Sequence, residues 1–350
     1  MPDKRRRADP WGIGARILLV TAALFIVIAG LKLAAPIVNY FLISLFLALV
    51  CATPVFWLQR KGLPIVLGIS LVSVSIIVLL SLTSVMLGNS MAGFSSKLPE
   101  YQARLNELQV PLEDWFAAKN IDLEGPTLFP ELDPENALGL VMKLLGNIGS
   151  ILSNMLLVLL TVTFMLLDTT GFMTRLRQVS PDPSASQRYL SEFATNVRRY
   201  LALKTWLSLI TGLGVGLWVA FMGLDFPLIW GMLAFFFNFI PNIGSILAAV
   251  PAVLLALVQL GVWQATMVAL GYLAVNIAIG NMLEPRVMGK GVGLPTSMVF
   301  LALIFWGWVL GPVGMILSVP LTVMVKIALD SNDDTRWLAM LLSRTSELPR

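Results

Sequence analysis

Long apolar runs, separated by short polar connections, make up most of the chain. A membrane span needs about 20 apolar residues, and the N-terminal half has such runs at 13–35, 37–58, 63–87 and 148–167. Hydrocarbon offers backbone groups no hydrogen-bond partner, so a spanning chain is helical or a closed barrel, and these runs are too long for barrel strands. The pattern predicts an all-α, polytopic helical membrane protein.

The C-terminal half has two more spanning runs, at 205–222 and 263–283, and each is followed by an interrupted apolar stretch. The first stretch is broken at residues 241–245 and the second at 311–314. Residues 228–240 make only about 20 Å of helix, whereas the hydrocarbon core is about 30 Å thick. We therefore expect two broken, re-entrant helical hairpins, and two ordinary kinked helix pairs are the alternative.

The two interrupted stretches resemble each other. Aligning Gly244 with Gly314 also pairs Phe235 with Phe305, which favours an internal duplication of 205–259 and 263–329. The single span at 263–283 reverses the side of entry, so the repeats are expected to be inverted. Paired segments interrupted by Gly and Pro are typical of a transporter's solute site.

Charge predicts how the chain is divided and oriented. Residues 89–147 form an insert with nine acidic and four basic residues, whereas 168–204 is basic on balance. Lys and Arg accumulate on the cytoplasmic side, so we expect the N-terminus, the loop at Arg60 and residues 168–204 in the cytoplasm and the insert outside. The predicted regions are three N-terminal spans (1–88), the mainly helical insert (89–147), a fourth span (148–167), a cytoplasmic linker helix (168–204), the transport core (205–329) and a cytoplasmic tail (330–350).

One helical face in the insert and one glycine pair suggest close packing. Apolar residues recur at spacings of three and four in the insert, at Leu98, Tyr101, Leu105, Leu108, Leu112 and Trp115. This stripe packs on its own region or on the membrane surface, or else it is a lid or a contact between protomers, and Pro111 should kink it. Gly212 and Gly216 are spaced to let two helices approach closely.

The composition of the chain excludes several kinds of metal site and catalysis. The chain is 57% hydrophobic, has no histidine and has one cysteine, Cys51, inside an apolar run. This excludes His-based metal sites and Ser/His/Asp or Cys/His catalysis, and no cluster of nucleophile, base and metal ligand indicates an enzyme. We expect no cofactor and no metal. The net charge of +4 comes from basic residues beside apolar runs, which indicates contact with lipid and not with nucleic acid.

Polar residues within the apolar stretches are the candidate site, because unpaired polar groups are costly in a membrane. Neutral amides and hydroxyls suit a small polar solute, although interhelical hydrogen bonding explains them equally well. The predicted solute pathway comprises Asn238, Pro241, Asn242, Gly244, Ser245, Asn276, Asn281, Gly311, Pro312 and Gly314.

Two charged residues flank Pro285 at a predicted membrane boundary. Glu284 and Arg286 are expected to pair with each other or to gate the second hairpin, in a coupling or gating role. Arg286 also fits a plain cytoplasmic anchor, as do the linker's basic residues up to Lys204. Glu284 is the more informative, since a carboxylate gains nothing from the positive-inside preference.

Several of these segments resemble one family of bacterial permeases. Residues 238–244 (Asn-Phe-Ile-Pro-Asn-Ile-Gly), 284–290 (Glu-Pro-Arg-Val-Met-Gly-Lys), 305–308 (Phe-Trp-Gly-Trp) and 311–314 (Gly-Pro-Val-Gly) are similar to the AI-2E family. The resemblance implies a multi-pass protein of the bacterial inner membrane that exports a small polar metabolite, the quorum-sensing signal autoinducer-2, and that assembles as a homo-oligomer, a pentamer in this branch. Many relatives carry a histidine where this chain has Leu294 before Pro295, which favours the exporter-like branch.

Other functions stay open at this point. A Na⁺(Li⁺)/H⁺ antiporter, also proposed within this family, needs a membrane carboxylate, and only Asp168, Asp225 and Glu284 lie near predicted span ends. An oligomeric channel or membrane scaffold is a second alternative. The chain has no Walker-type glycine loop for ATP.

Overall fold

All the described elements of the computed structural model are helices. The structure describes residues 13–118, 155–179, 183–241, 243–288, 294–330 and 335–342. The helices are α1 (Ile13–Leu33), α2 (Ala35–Arg60), α3 (Ile65–Ala118), α4 (Met155–Val179), α5 (Pro183–Phe221), α6 (Pro227–Phe237), α7 (Gly244–Leu260), α8 (Val262–Asn276), α9 (Glu284–Met288), α10 (Thr296–Ile316), α11 (Ser318–Asp330) and α12 (Arg336–Leu341). A π-helical segment, Ile277–Leu283, joins α8 to α9.

Five helical segments among the described residues are long and apolar enough to cross a membrane. They are Ala35–Arg60, Ile65–Arg104, Ala194–Phe221, Val262–Val287 and Thr296–Ile316. Large apolar side chains on these segments point outward, as with Leu71 and Val78 on α3 and Leu217 on α5. Such exposure is tolerated where lipid replaces water as the solvent. The prediction of an all-α, polytopic membrane protein is confirmed.

Two helices run through positions where the sequence suggested a change of region. Helix α3 continues without interruption past residue 88 and past Pro111 to Ala118, for a length of about 80 Å. Leu87, Phe94 and Tyr101, seven residues apart on one face, are all buried, so the packed surface extends beyond the apolar run. The Tyr101 part of the predicted stripe therefore packs within the fold, and the side chains of the stripe from Leu105 onward lie outside the described ones.

Helix α5 likewise crosses the predicted boundary between residues 204 and 205. The linker and the span are one helix, Pro183–Phe221. Val197 and Leu201 are buried in an apolar core on the linker side of that boundary. The last turns of the linker therefore pack against other helices of the bundle.

Among the described residues, the buried apolar side chains form three cores. The first joins α3, α5, α6, α7 and α8 around Trp230, Leu233 and Ala252. The second joins α2, the beginning of α5, α10 and α11 around Phe46, Leu201 and Leu310. The third joins α2, α3 and α4 around Cys51, Ile69 and Val162. Helix α5 contributes to the first two cores and so links the two interrupted stretches.

Candidate functional site

Helix α5 carries a line of polar residues along a buried face. Lys204, Ser208 and Thr211 are all buried, and their spacing of four and three places them on one side of the helix. The Thr211 hydroxyl donates to the Leu207 carbonyl within the helix. Lys204 and Ser208 instead reach other helices, so this buried face is polar, whereas other buried side chains of α5, such as Val215 and Val219, are apolar.

The charged member of this line pairs with Glu284. Lys204 Nζ donates to Glu284 Oε1 at 2.7 Å, and the two side chains are 6% and 23% exposed. Glu284 follows the seven-residue π-helical segment, a wider helix form that is common at functional sites. A buried lysine and its carboxylate partner inside an apolar bundle stabilise each other, because each charge is costly without the other.

This pairing corrects two predictions about charge. Glu284 pairs with Lys204 and not with Arg286, whose side chain is exposed two residues further along. Lys204 was expected to anchor the linker at the membrane surface, but its side chain points into the bundle. A lysine four residues before Ser208 was the signal in the sequence, and it was missed because Lys204 was assigned to the linker helix as a surface anchor.

The first break places Asn238 against the same face of α5. Helix α6 ends at Phe237 and α7 begins at Gly244. Asn238 is buried and donates from Nδ2 to Ser208 Oγ at 2.9 Å. Between the helices the Ile240 amide donates to Phe237 O at 2.8 Å and the Ile243 amide to Pro241 O at 2.7 Å, so the backbone turns sharply around a proline that has no N–H of its own.

The second break is supported by a residue from another region of the chain. Gly311 has φ 66° and ψ −148°, which interrupts α10 just before Pro312. The Leu310 carbonyl accepts a hydrogen bond from Asn39 Nδ2 of α2 at 3.1 Å. Asn39 Oδ1 is buried with no hydrogen-bond partner among the described groups. Lys32 at the end of α1 lies 3.9 Å from the Trp308 ring centroid, so this break lies beside the α1–α2 turn.

The two aligned glycines occupy similar local environments. A Cβ on Gly244 would collide with the Phe237 carbonyl and approach Ile240 Cβ to 3.2 Å. A Cβ on Gly314 would collide with the Trp306 carbonyl and approach Leu310 Cβ to 2.8 Å. Each glycine thus packs on the carbonyl end of the helix before its break and on the residue four positions earlier. A side chain is excluded at both positions for the same geometric reason.

The structure brings together only some of the predicted pathway residues. Asn238 lies near the Lys204–Glu284 pair because Ser208 and Lys204 are one turn apart on α5. Gly311, Pro312 and Gly314 lie with the second core, away from the first break. Ser245 and Asn276 are half-buried, Asn281 is exposed, and Asn242 lies outside the described residues. Ser208, Lys204 and Asn39 are the polar partners that the sequence interpretation missed.

The glycine pair on α5 is a close helix contact. Ideal Cβ atoms would lie 2.7 Å from Gly231 O at Gly212 and 2.8 Å from Gly212 O at Gly231. Gly216 continues the contact, with Gly231 Cα at 3.6 Å from its Cβ position. The packing interpretation of Gly212 and Gly216 is confirmed, and this contact holds α6, and with it Asn238, against α5.

A second polar cluster lies at the opposite end of α6. Asp225 Oδ2 accepts hydrogen bonds from Lys97 Nζ and Tyr101 Oη, each at 2.6 Å. Burial by itself raises the pKa of the Asp225 carboxyl, but the hydrogen bonds from Lys97 and Tyr101 outweigh it, so that the pKa lies below its ordinary value. Asp225 is therefore a carboxylate throughout the physiological pH range.

Spanning helices that bury an ion pair, and that are interrupted at glycine and proline beside polar side chains, are typical of membrane transport proteins. The chain belongs to the AI-2E family of transporters, whose family model matches residues 18–332. It is a membrane transporter and not an enzyme.

Relatives of similar length support this assignment. The chain is 39% identical over 330 residues to the AI-2 transport protein TqsA of Escherichia coli (strain K12), a match that covers 94% of this chain and 96% of that protein. It is 36% identical over 334 residues to YhhT of Escherichia coli (strain K12), covering 95% and 96% of the two chains. A protein of Haemophilus influenzae is 36% identical over 333 residues, covering 93% of this chain and 96% of its own length.

Proposed function

We propose that this protein exports a small polar solute across the bacterial inner membrane and that the solute is autoinducer-2. The observation that carries the proposal is the full-length similarity to a protein named for autoinducer-2 transport. The neutral hydrogen-bonding pair Asn238 and Ser208 supports it, since an amide and a hydroxyl suit a small polyhydroxylated solute.

The two interrupted stretches are proposed to form the solute pathway as inverted, re-entrant hairpins. The repeated environment of Gly244 and Gly314 supports a duplication of residues 205–259 and 263–329. With the N-terminus in the cytoplasm, the first break approaches the inner face beside Ser208, and the second approaches the outer face beside the α1–α2 turn. Asn238 and Ser245 would then contact solute from one side, and the carbonyl end of α10 from the other.

The Lys204–Glu284 pair is proposed as the gate at the inner end of this pathway. It lies one helical turn from the Ser208–Asn238 contact, and a solute that displaces Asn238 from Ser208 reaches the ion pair next. Arg286, which is exposed, is assigned to anchoring near the inner membrane surface. We further propose a homo-oligomer, as in the exporter-like branch of the family, where the form is a pentamer.

Uptake into inside-out vesicles tests the proposal. Vesicles that contain the purified protein are loaded with autoinducer-2 from outside, with and without a proton gradient, beside a Glu284→Gln variant. Glu100→Gln is the matched control, because Glu100 pairs with Arg104 on the surface. We expect saturable uptake that Glu284→Gln reduces and Glu100→Gln leaves unchanged.

Other outcomes point to different functions. The described spans contain one partly buried carboxylate in an ion pair, Glu284. Because an antiporter needs a membrane carboxylate, this observation makes a Na⁺(Li⁺)/H⁺ antiporter the second candidate. If autoinducer-2 does not move but sodium or lithium dissipates a preformed proton gradient, the antiporter replaces the exporter. Non-saturable flux of unrelated small solutes would identify a channel.

A further inference from the structure

The end of the α6–α7 pair that is remote from the break is tied to α3 by several polar contacts. Lys97 and Tyr101 of α3 both donate to Asp225 Oδ2 at 2.6 Å. The Asp225 backbone participates as well, because its carbonyl accepts from Trp230 Nε1 of α6 at 2.9 Å. One carboxylate thus joins α3 to the residues that lead into α6.

Gln259, in the last turn of α7, completes the connection. Its Oε1 accepts from the Asp225 amide at 2.9 Å, and its Nε2 donates to Gly223 O at 3.2 Å. Arg104 of α3 donates from Nη1 to the Gln259 carbonyl at 2.8 Å. The beginning of α6, the end of α7 and the segment of α3 from Lys97 to Arg104 are therefore joined within a single hydrogen-bonded network.

Aromatic packing surrounds this network. Phe94 is fully buried between Tyr101 and Phe226, with ring centroids 5.8 Å apart in both cases. Phe226 adopts a left-handed backbone conformation, φ 57°, which is uncommon for a bulky residue and persists only where surrounding contacts hold it. Gly93 leaves room for that ring, since a Cβ there would lie 2.9 Å from Phe226 Cε1.

At the other end of α6, the described side-chain contact between the break and α5 is a neutral one. Asn238 and Ser208 share one neutral hydrogen bond, and the chain from residue 238 to Ile243 leaves the helix around Pro241. Backbone that is outside a helix and lacks a proline N–H rearranges more readily than a buried aromatic cluster crossed by charged hydrogen bonds. Any movement of the first interrupted stretch is therefore easier at the break than at the Asp225 end.

We propose that Asp225 is a positioning residue that fixes the outer end of the α6–α7 pair to α3, so that the movement which admits solute occurs at the break. Helix α3 and this end of the pair then behave as one rigid body during transport. The flux test of this idea rests on the proposed export of autoinducer-2, but its structural test does not.

Reversible cross-linking tests the proposal, because uptake can be measured on the same protein with the cross-link present and after its removal. In a Cys51→Ala background, Lys97→Cys and Asp225→Cys are joined by a short bis-methanethiosulfonate reagent, which a reductant removes. The matched control joins Ser208→Cys and Asn238→Cys at the break with the same reagent. Because each comparison is made on one protein before and after reduction, effects of the substitutions on folding cancel.

Cross-linking at Lys97 and Asp225 should change the maximal uptake rate by less than about twofold, and cross-linking at the break should lower it by at least about tenfold, with recovery after reduction. Loss of uptake on cross-linking Lys97 to Asp225, restored by reductant, overturns the proposal, because that contact would then have to open during transport.

Backbone hydrogen exchange gives a readout that needs no solute. In the uncross-linked protein, residues 93–101 and 224–230 should exchange slowly and together, and Asp225→Asn should accelerate both segments while leaving 155–166 unchanged. Acceleration in only one of the two segments contradicts a rigid unit. If wild-type vesicles take up no autoinducer-2, the proposed function fails, and the exchange result still decides whether Asp225 joins the two segments.

Discussion

Removing one charge of the Lys204–Glu284 pair should lower the free energy of unfolding more than removing both charges. Lys204 is 6% exposed and Glu284 is 23% exposed, so Glu284→Gln leaves a nearly inaccessible ammonium without a counter-charge. Breaking a buried pair in this way costs about 3–5 kcal/mol, and we expect about 3 kcal/mol because Glu284 itself is not fully enclosed.

Removing the positive charge instead should destabilise the protein less. In Lys204→Met the remaining carboxylate is the more exposed partner, and partial solvation limits the expected cost to about 1–2 kcal/mol. The methionine also replaces the buried lysine stem with an apolar side chain of similar length. The double variant, Lys204→Met with Glu284→Gln, should lie within about 1 kcal/mol of the wild type, since no buried charge remains.

Equilibrium unfolding of the purified protein in mixed micelles measures these differences, and a double-mutant cycle isolates the pairwise energy. Glu100→Gln is the reference for an exposed pair, which is worth about 0.3–0.5 kcal/mol. The argument is refuted if Glu284→Gln destabilises no more than Glu100→Gln, or if the double variant is as unstable as the sum of the single ones.

Three further predictions follow from other contacts. Gly212→Ala should destabilise the protein by about 1–3 kcal/mol through overpacking against Gly231. Gly214→Ala on the same helix should not, because the atoms nearest to its Cβ position lie at 3.7 Å. Equilibrium unfolding of the two variants checks this. Asn238→Leu and Ser208→Ala should each lower the free energy of unfolding by about 0.6–1.7 kcal/mol. The double variant should lower it by no more than the larger single loss, because both substitutions remove the same hydrogen bond. Additive losses would contradict the contact. The pKa of Asp225 is lower in the folded protein, so the contribution of its carboxylate to the free energy of unfolding should persist at all pH values above the unfolded pKa, near 3.9, and decline only as pH falls through the folded pKa. The thermal midpoints of the wild type and Asp225→Asn should therefore differ by a constant amount from pH 5 to 8. A difference that shrinks near neutral pH would show the assignment to be wrong.

The apolar pattern was sufficient to predict the helical membrane architecture, because span length and composition depend on local sequence alone. The runs at 37–58 and 63–87 correspond to α2 and to the first part of α3. The glycine contact between α5 and α6 was also predictable, since only the absence of side chains at Gly212 and Gly216 is needed for close approach.

Residues that depend on tertiary contacts were not predictable in the same way. Lys204 looks like a surface anchor until α5 is known to run from residue 183 to 221 as one helix. Asn39 is one of a few polar residues in an apolar run, and its importance follows only from its contact with Leu310, 271 residues away. Single-sequence periodicity detects faces of helices, but it contains no information about which helix covers each face.

Glu284 is the described carboxylate best placed to link proton movement to solute movement. Asp225 is held in its ionised form by Lys97 and Tyr101, so it cannot exchange a proton near neutral pH. Glu284 is paired with Lys204 one turn from the Ser208–Asn238 contact, and Glu284→Gln removes its charge at that position.

If transport is coupled to protons through Glu284, the Glu284→Gln variant should retain a residual uptake that no longer responds to the proton gradient, whereas Glu100→Gln should respond as the wild type does. Uptake by the variant that still rises with the gradient would assign coupling to a different group. Wild-type uptake that ignores the gradient would make the ion pair a gate alone, opened by solute at Asn238 and not by protonation.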